Sequence, residues 1–169
     1  MLNRTAGMSR KFTWSRKGRI AALGIAMALS LSGMASAATV VGEWLVAEKT
    51  ARVKISDCGG ALWGIVSWEA DPGIDTHNPD PAKRNQPITG LPVLRDLKPA
   101  GKNRWNGNLY NADNGKTYRG GVTLLDDNRL RVHGCVLFIL CGGENWTRVE
   151  GDSTASDPEI CARVASAQP

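Results

Sequence analysis

From Val40 onward, apolar and polar residues alternate in short runs broken by turn-forming residues. Val40 to Val46 contains Gly42-Glu43-Trp44, and Arg52-Val53-Lys54-Ile55 alternates charged with branched aliphatic side chains, the period of a strand with one wet face. Leu62 to Trp68 is apolar on both faces, which predicts a more covered strand. Further strands are expected at Leu91 to Leu97, Trp105 to Leu109, Tyr118 to Leu124, Leu130 to Val132 and Gly142 to Val149. Lys98-Pro99-Ala100-Gly101, Asn111 to Gly115 and Asp126-Asp127-Asn128 supply the turns, with glycine and asparagine where a positive φ costs little. About eight short strands joined mostly by tight turns predict an all-β fold. A small antiparallel up-and-down barrel accounts for them better than an open sheet with exposed edges.

The alternation fails between Trp68 and Leu91. Five prolines from Pro72 to Pro92 remove backbone donors and exclude a regular central strand or a long helix. Within the loop 69–90, Asp80 before Pro81 reads as an N-cap with proline at the first helical position, which predicts a helical turn through Arg84. A cation site built from Asp71, Asp75, Asn78 and Asp80 is the competing reading. Their spacing lacks the glycine and the distal glutamate of a calcium loop, and the capped turn is preferred.

Two flanking segments differ from the rest. Residues 1–19 hold six basic side chains and no acid, Ile20 to Met34 is an apolar run, and Ala35-Ser36-Ala37 places small residues where a signal peptidase cuts. Residues 1–37 are therefore read as a signal peptide, the run being shorter than the ~20 residues of a spanning helix; no transmembrane span is expected after its removal. Residues 150–169 form a polar tail in which Asp157-Pro158-Glu159 marks a helix start, with Ile160 and Val164 one turn apart. The domain itself is assigned to residues 38–149.

Charge changes meaning with this division. The whole chain has 21 Lys and Arg against 16 Asp and Glu, but without its first 37 residues it has 15 against 16. A nucleic-acid partner loses its main support. All four cysteines, Cys58, Cys135, Cys141 and Cys161, lie beyond residue 37. An exported chain meets an oxidising compartment, so they are disulfide candidates, with periplasmic or secreted localisation expected.

Gly42-Glu43-Trp44, Cys58-Gly59-Gly60, Asn78-Pro79-Asp80-Pro81, Gly90-Leu91, Gly115-Lys116-Thr117-Tyr118 and Trp146-Thr147-Arg148, in this order and spacing, resemble the DUF2147 family of small exported bacterial proteins. The resemblance covers roughly residues 42–149 and implies a lipocalin-like or fatty-acid-binding-protein-like barrel. It implies a structural pairing in which Arg148 packs over Trp44 and closes one end. The family usually has a second cysteine where this chain has Trp63, which leaves Cys58 without its near neighbour. The pairings expected on that basis are Cys58 with Cys161, from the tail, and Cys135 with Cys141, close in sequence.

A barrel of this size either holds one small ligand or fills itself with side chains. Trp68, Trp105, Leu109, Tyr118, Val122, Leu130 and Val132 are expected to face inward, with Trp68, Trp105, Leu109 and Tyr118 as ligand-contact candidates for a small hydrophobic molecule. His77, Asn78, Asp80 and Arg84 are the candidates at the mouth or loop. The alternative is a filled barrel whose loop 69–90 docks an envelope protein partner. Enzyme activity ranks below both: no GxSxG elbow, HExxH helix or phosphate-cradling glycine loop occurs, and no catalytic residue, metal ligand or cofactor is assigned.

Overall fold

The computed structural model describes residues 39–136, 140–153 and 155–166, and the expected signal peptide, residues 1–37, lies outside them. Among the described residues eight strands follow in chain order: β1 (Gly42–Leu45), β2 (Ala51–Asp57), β3 (Leu62–Glu69), β4 (Pro92–Pro99), β5 (Arg104–Asn111), β6 (Lys116–Asp126), β7 (Arg129–Val136) and β8 (Leu140–Arg148). Each is antiparallel to its neighbours, and β8 returns to β1 through Trp44 opposite Arg148, so the sheet closes into a barrel. The up-and-down topology follows from the turns. Each connection is too short for a crossover except the 22-residue one between β3 and β4, which also joins adjacent strands.

Antiparallel connectivity gives the barrel two ends. At the end where β1 begins and β8 finishes, Trp44 is fully buried, its indole Nε1 donating to the Val40 carbonyl at 2.9 Å. The Arg148 guanidinium lies 4.1 Å from the Trp44 ring. Its nitrogens also donate to the carbonyls of Thr39, Val41 and Asp127, which ties the N-terminal segment and the β6–β7 turn over the barrel end. Below this closure, Ile55, Leu97, Val122, Leu124 and Leu130 fill the interior. Burial of each such side chain contributes about 1.5–3 kcal/mol.

One register shift decides which way a whole side chain points. Arg52 pairs with Trp68, but Val53 pairs with Val66, so Ser67 is an extra residue in β3. The bulge reverses the inside–outside alternation from Trp68 onward. Trp68 therefore faces outward, 40% exposed, with the Arg52 guanidinium 5.1 Å from its ring. This corrects the expectation that Trp68 points inward.

The polar tail ends in the helix α1 (Pro158–Ser166), as its Asp157-Pro158 start predicts. Asp157 caps it by accepting from the Glu159 amide at 2.9 Å, and its own amide donates to the buried Ser56 hydroxyl of β2 at 2.8 Å. Ile160 and Val164 pack on the outer face of β3 against Trp63, with Ala61 and Ile65 beside it, forming a second small core outside the barrel. The disulfide Cys58–Cys161 fastens the helix there. The other disulfide, Cys135–Cys141, joins directly opposed residues of β7 and β8.

Candidate functional site

The end opposite the Arg148 closure is not filled. A cavity of about 1000 Å³ opens there, with buried Val53, Val66, Leu94, Val132 and Trp146 on its deeper walls. Tyr118, Leu109 and Val93 extend the lining toward the mouth, where Glu48 and Thr50 of the β1–β2 turn, Glu69 to Asp71 after β3, Ile88, and Asn111 to Asp113 of the β5–β6 turn form the rim. The volume is at the upper end of the range of small-molecule sites, and an apolar floor with polar groups at the mouth is the usual make-up of such sites.

Glu144 is the polar group set among these apolar walls. It lies opposite Val132 and two residues before Trp146 on β8, so alternation turns it to the interior, and its carboxylate accepts from the Trp146 indole N–H. Burial pushes the Glu144 carboxyl above its ordinary range. The Trp146 hydrogen bond opposes that shift, while the negative charge of Glu48 and a shared hydrogen bond with it push the carboxyl higher still. Glu69, also on the rim, accepts from the Thr89 hydroxyl at 2.8 Å.

The loop 69–90 is ordered by a carboxylate that the barrel itself grips. Asp75, completely buried, accepts from the Tyr110 hydroxyl of β5 at 2.8 and 2.9 Å and from the Asn78 amide at 2.6 Å. Gln86 reaches it more distantly, at 3.4 Å, and the Asp75 amide donates to the Gln86 carbonyl at 3.0 Å, which pinches the loop into a narrow hairpin. Arg95 stacks on the Tyr110 ring at 4.3 Å. Desolvation, aided by the Asp75 contact, pushes the Tyr110 phenol up to about 12.

The sequence-derived candidates divide on this geometry. Leu109 and Tyr118 line the cavity; Trp105 packs half-buried against the core, away from the cavity lining, and Trp68 is on the outer surface. Asn78 is buried as a partner of Asp75, its side-chain oxygen accepting from the Asp80 amide at 2.9 Å. Asp80 caps the single 3-10 turn Pro81–Lys83, and Arg84 donates to the Asn78 carbonyl at 2.9 Å. His77 is exposed, and its backbone carbonyl packs so closely on Gly115 that a Cβ there would collide with it. These four residues build the loop instead of converging on the mouth. Among the described residues no group of three or more His, Cys, Asp or Glu could hold a metal ion, and Asp75, one of the acids considered for a cation, is bonded instead to Tyr110 and Asn78.

Glu144, Glu48, Glu69 and the deep wall of Val53, Val66, Leu94 and Trp146 are absent from the sequence-derived set. For Glu144 a signal existed: it shares the parity of Trp146 on β8. No comparable signal marks Asp75, whose partner Tyr110 lies 35 residues away.

A family model described as an uncharacterised protein conserved in bacteria (DUF2147) matches residues 42–148. Among solved structures, protein HP1028 from Helicobacter pylori, described as belonging to the lipocalin family, is similar with a TM-score of 0.59 and 23% identity, over 73% of this chain and 88% of that one. At that identity the likeness concerns the fold. No curated protein matches. Among the described residues no helix is long and apolar enough to cross a membrane.

Proposed function

Since the chain belongs to the DUF2147 family and has a lipocalin-like barrel, we propose that it is an exported protein of the bacterial cell envelope that binds a small hydrophobic ligand in the open end of that barrel. The observation that carries this reading is the cavity of about 1000 Å³ whose deep walls are buried Val53, Val66, Leu94, Val132 and Trp146. Apolar walls favour an apolar guest because they exchange ordered water for contact area. The two disulfides suit an oxidising compartment and support the envelope location.

Leu109 and Tyr118 are the ligand contacts of this reading, with Trp146 as the third. Partner docking through loop 69–90 ranks second, because a barrel serving only as a scaffold has no need of a cavity at one end. Native mass spectrometry of the protein purified from the periplasm, before and after denaturation, tests the proposal. An adduct lost on denaturation supports it, and so does its absence from a Gly134→Leu variant. Gly134 lines the cavity, and a Cβ built there meets Tyr118 only at ordinary contact distance, so the leucine has room to occupy ligand space. Failure of both the native adduct and added apolar probes to bind would sink the carrier reading.

A further inference from the structure

The charge of the cavity is one-sided. Five carboxylates line it, those of Glu48, Glu69, Asp71, Asp113 and Glu144, and among the described residues His133 is on the lining but no Lys or Arg is. They do not form a free-standing acidic surface, because they line a cavity open at one barrel end and one of them, Glu144, lies beside the buried Trp146 on its wall. Two arginines of the neighbouring strands are engaged elsewhere. Arg52 lies over Trp68 and 3.6 Å from Glu43, and Arg95 stacks on Tyr110 under the loop. A fatty acid entering this mouth would bring its carboxylate against like charges in a partly dry site whose described lining holds no Lys or Arg, and like charges so placed discriminate against a ligand.

Resting on the carrier reading, we propose that the cavity selects amphiphiles whose polar end is a cation, a protonated amine or a quaternary ammonium, with the apolar tail against Val53, Leu94 and Val132. Glu144 and Glu48 are close enough to share a hydrogen bond, so one ammonium group reaches both carboxylates. The Trp146 indole and the Tyr118 ring on the same lining add aromatic faces, which attract cations. The cation compensates a negative charge that the fold has placed in a half-buried position. That compensation separates this ligand class from neutral or anionic lipids of equal chain length.

Binding of dodecylamine, dodecanol and laurate below their aggregation concentrations, followed by tryptophan fluorescence and calorimetry at pH 7, tests the selection. Dodecylamine is expected to bind about tenfold or more tightly than laurate, with dodecanol between them, and to weaken as salt rises from 0.05 to 0.5 M. In the double variant Glu48→Gln, Glu144→Gln the preference is expected to collapse by about tenfold, while dodecanol binding holds. Glutamine keeps an acceptor for the Trp146 indole, and the salt dependence of the unmutated protein gives the same answer without any substitution. If dodecanol and laurate bind as well as dodecylamine, the charge selection is overturned and the carrier reading stands. If none of the three binds, both fall.

Discussion

The Tyr110 hydroxyl of β5 donates into the carboxylate of Asp75, 2.8 and 2.9 Å from its two oxygens, where the loop between β3 and β4 crosses the outside of the barrel. This contact makes a proline-rich segment part of the fold. Removing the hydroxyl with Tyr110→Phe leaves a buried charge short of one donor, which is expected to cost about 1–3 kcal/mol in urea denaturation. Because the Tyr110 phenol is raised to about 12, the native state holds its proton more tightly than the unfolded chain. Its contribution is fully present below the unfolded value near ~10 and is lost as pH rises toward 12. Alkaline unfolding of the parent should therefore be steeper than that of Tyr110→Phe, and equal slopes would contradict the assignment.

Closure of the barrel end depends on Arg148 as a fork as well as a charge. Its guanidinium covers Trp44 and serves three carbonyls in two separate segments. Arg148→Ala is expected to lower stability by about 2–4 kcal/mol. Lysine should recover less than half of that, since an ammonium cannot reproduce the planar geometry. Chemical denaturation of the two variants side by side decides it.

The two disulfides close loops of very different length, 103 and 6 residues in sequence separation. Chain entropy assigns about 4–5 kcal/mol to the first and about 2 kcal/mol to the second. Replacing Cys58 and Cys161 together by serine should thus destabilise the protein about twice as much as replacing Cys135 and Cys141. It should also release α1, detectable as rapid amide exchange in residues 158–166. Equal losses from the two pairs would show that loop length is not what governs their effect.

Glu144 gives a second pH dependence, of the opposite kind to a salt-bridged acid. Its carboxyl is raised by burial and by Glu48. The contribution to stability is then fully present below the unfolded value near ~4.3 and is lost as pH climbs through the folded one. Glu144→Gln is expected to melt higher than the parent at pH 7 and to converge with it near pH 4. Calorimetric melts at the two pH values measure this directly, and a variant that melts lower at pH 7 would mean that the carboxylate is favourably held.

Where alternation ran unbroken, sequence and structure agree. β5 and β6 pair without a shift from Arg104 opposite Thr123 to Asn111 opposite Lys116, so the inward assignment of Leu109, Tyr118 and Val122 followed from period two alone. Trp68 failed because Ser67 adds one residue, and nothing in Val66-Ser67-Trp68 announces a bulge. The capped turn at Asp80 was legible because a cap is a local bond. Asp75 was not, since its burial depends on a tyrosine two strands later. The departure at Trp63 pointed to Cys161 as the partner of Cys58, and that bond is present; what α1 adds is the reason for the indole, which fills the seat on which Ile160 and Val164 rest.

The nested order of the cysteines bears on how the chain is made. Cys135–Cys141 lies wholly inside the span of Cys58–Cys161. Under the proposed export, the chain enters an oxidising compartment amino end first and presents Cys58 with Cys135 as its first available mate, and only last with Cys161. Pairing in order of arrival yields a bond that the barrel cannot contain, because Cys58 lies in the β2–β3 turn at the closed end and Cys135 near the opposite end of β7. Correct connectivity therefore requires the sheet to assemble before Cys58 is committed, or an exchange catalyst to undo the early bond, so yield in the producing cell should follow thiol–disulfide exchange capacity more closely than oxidising strength.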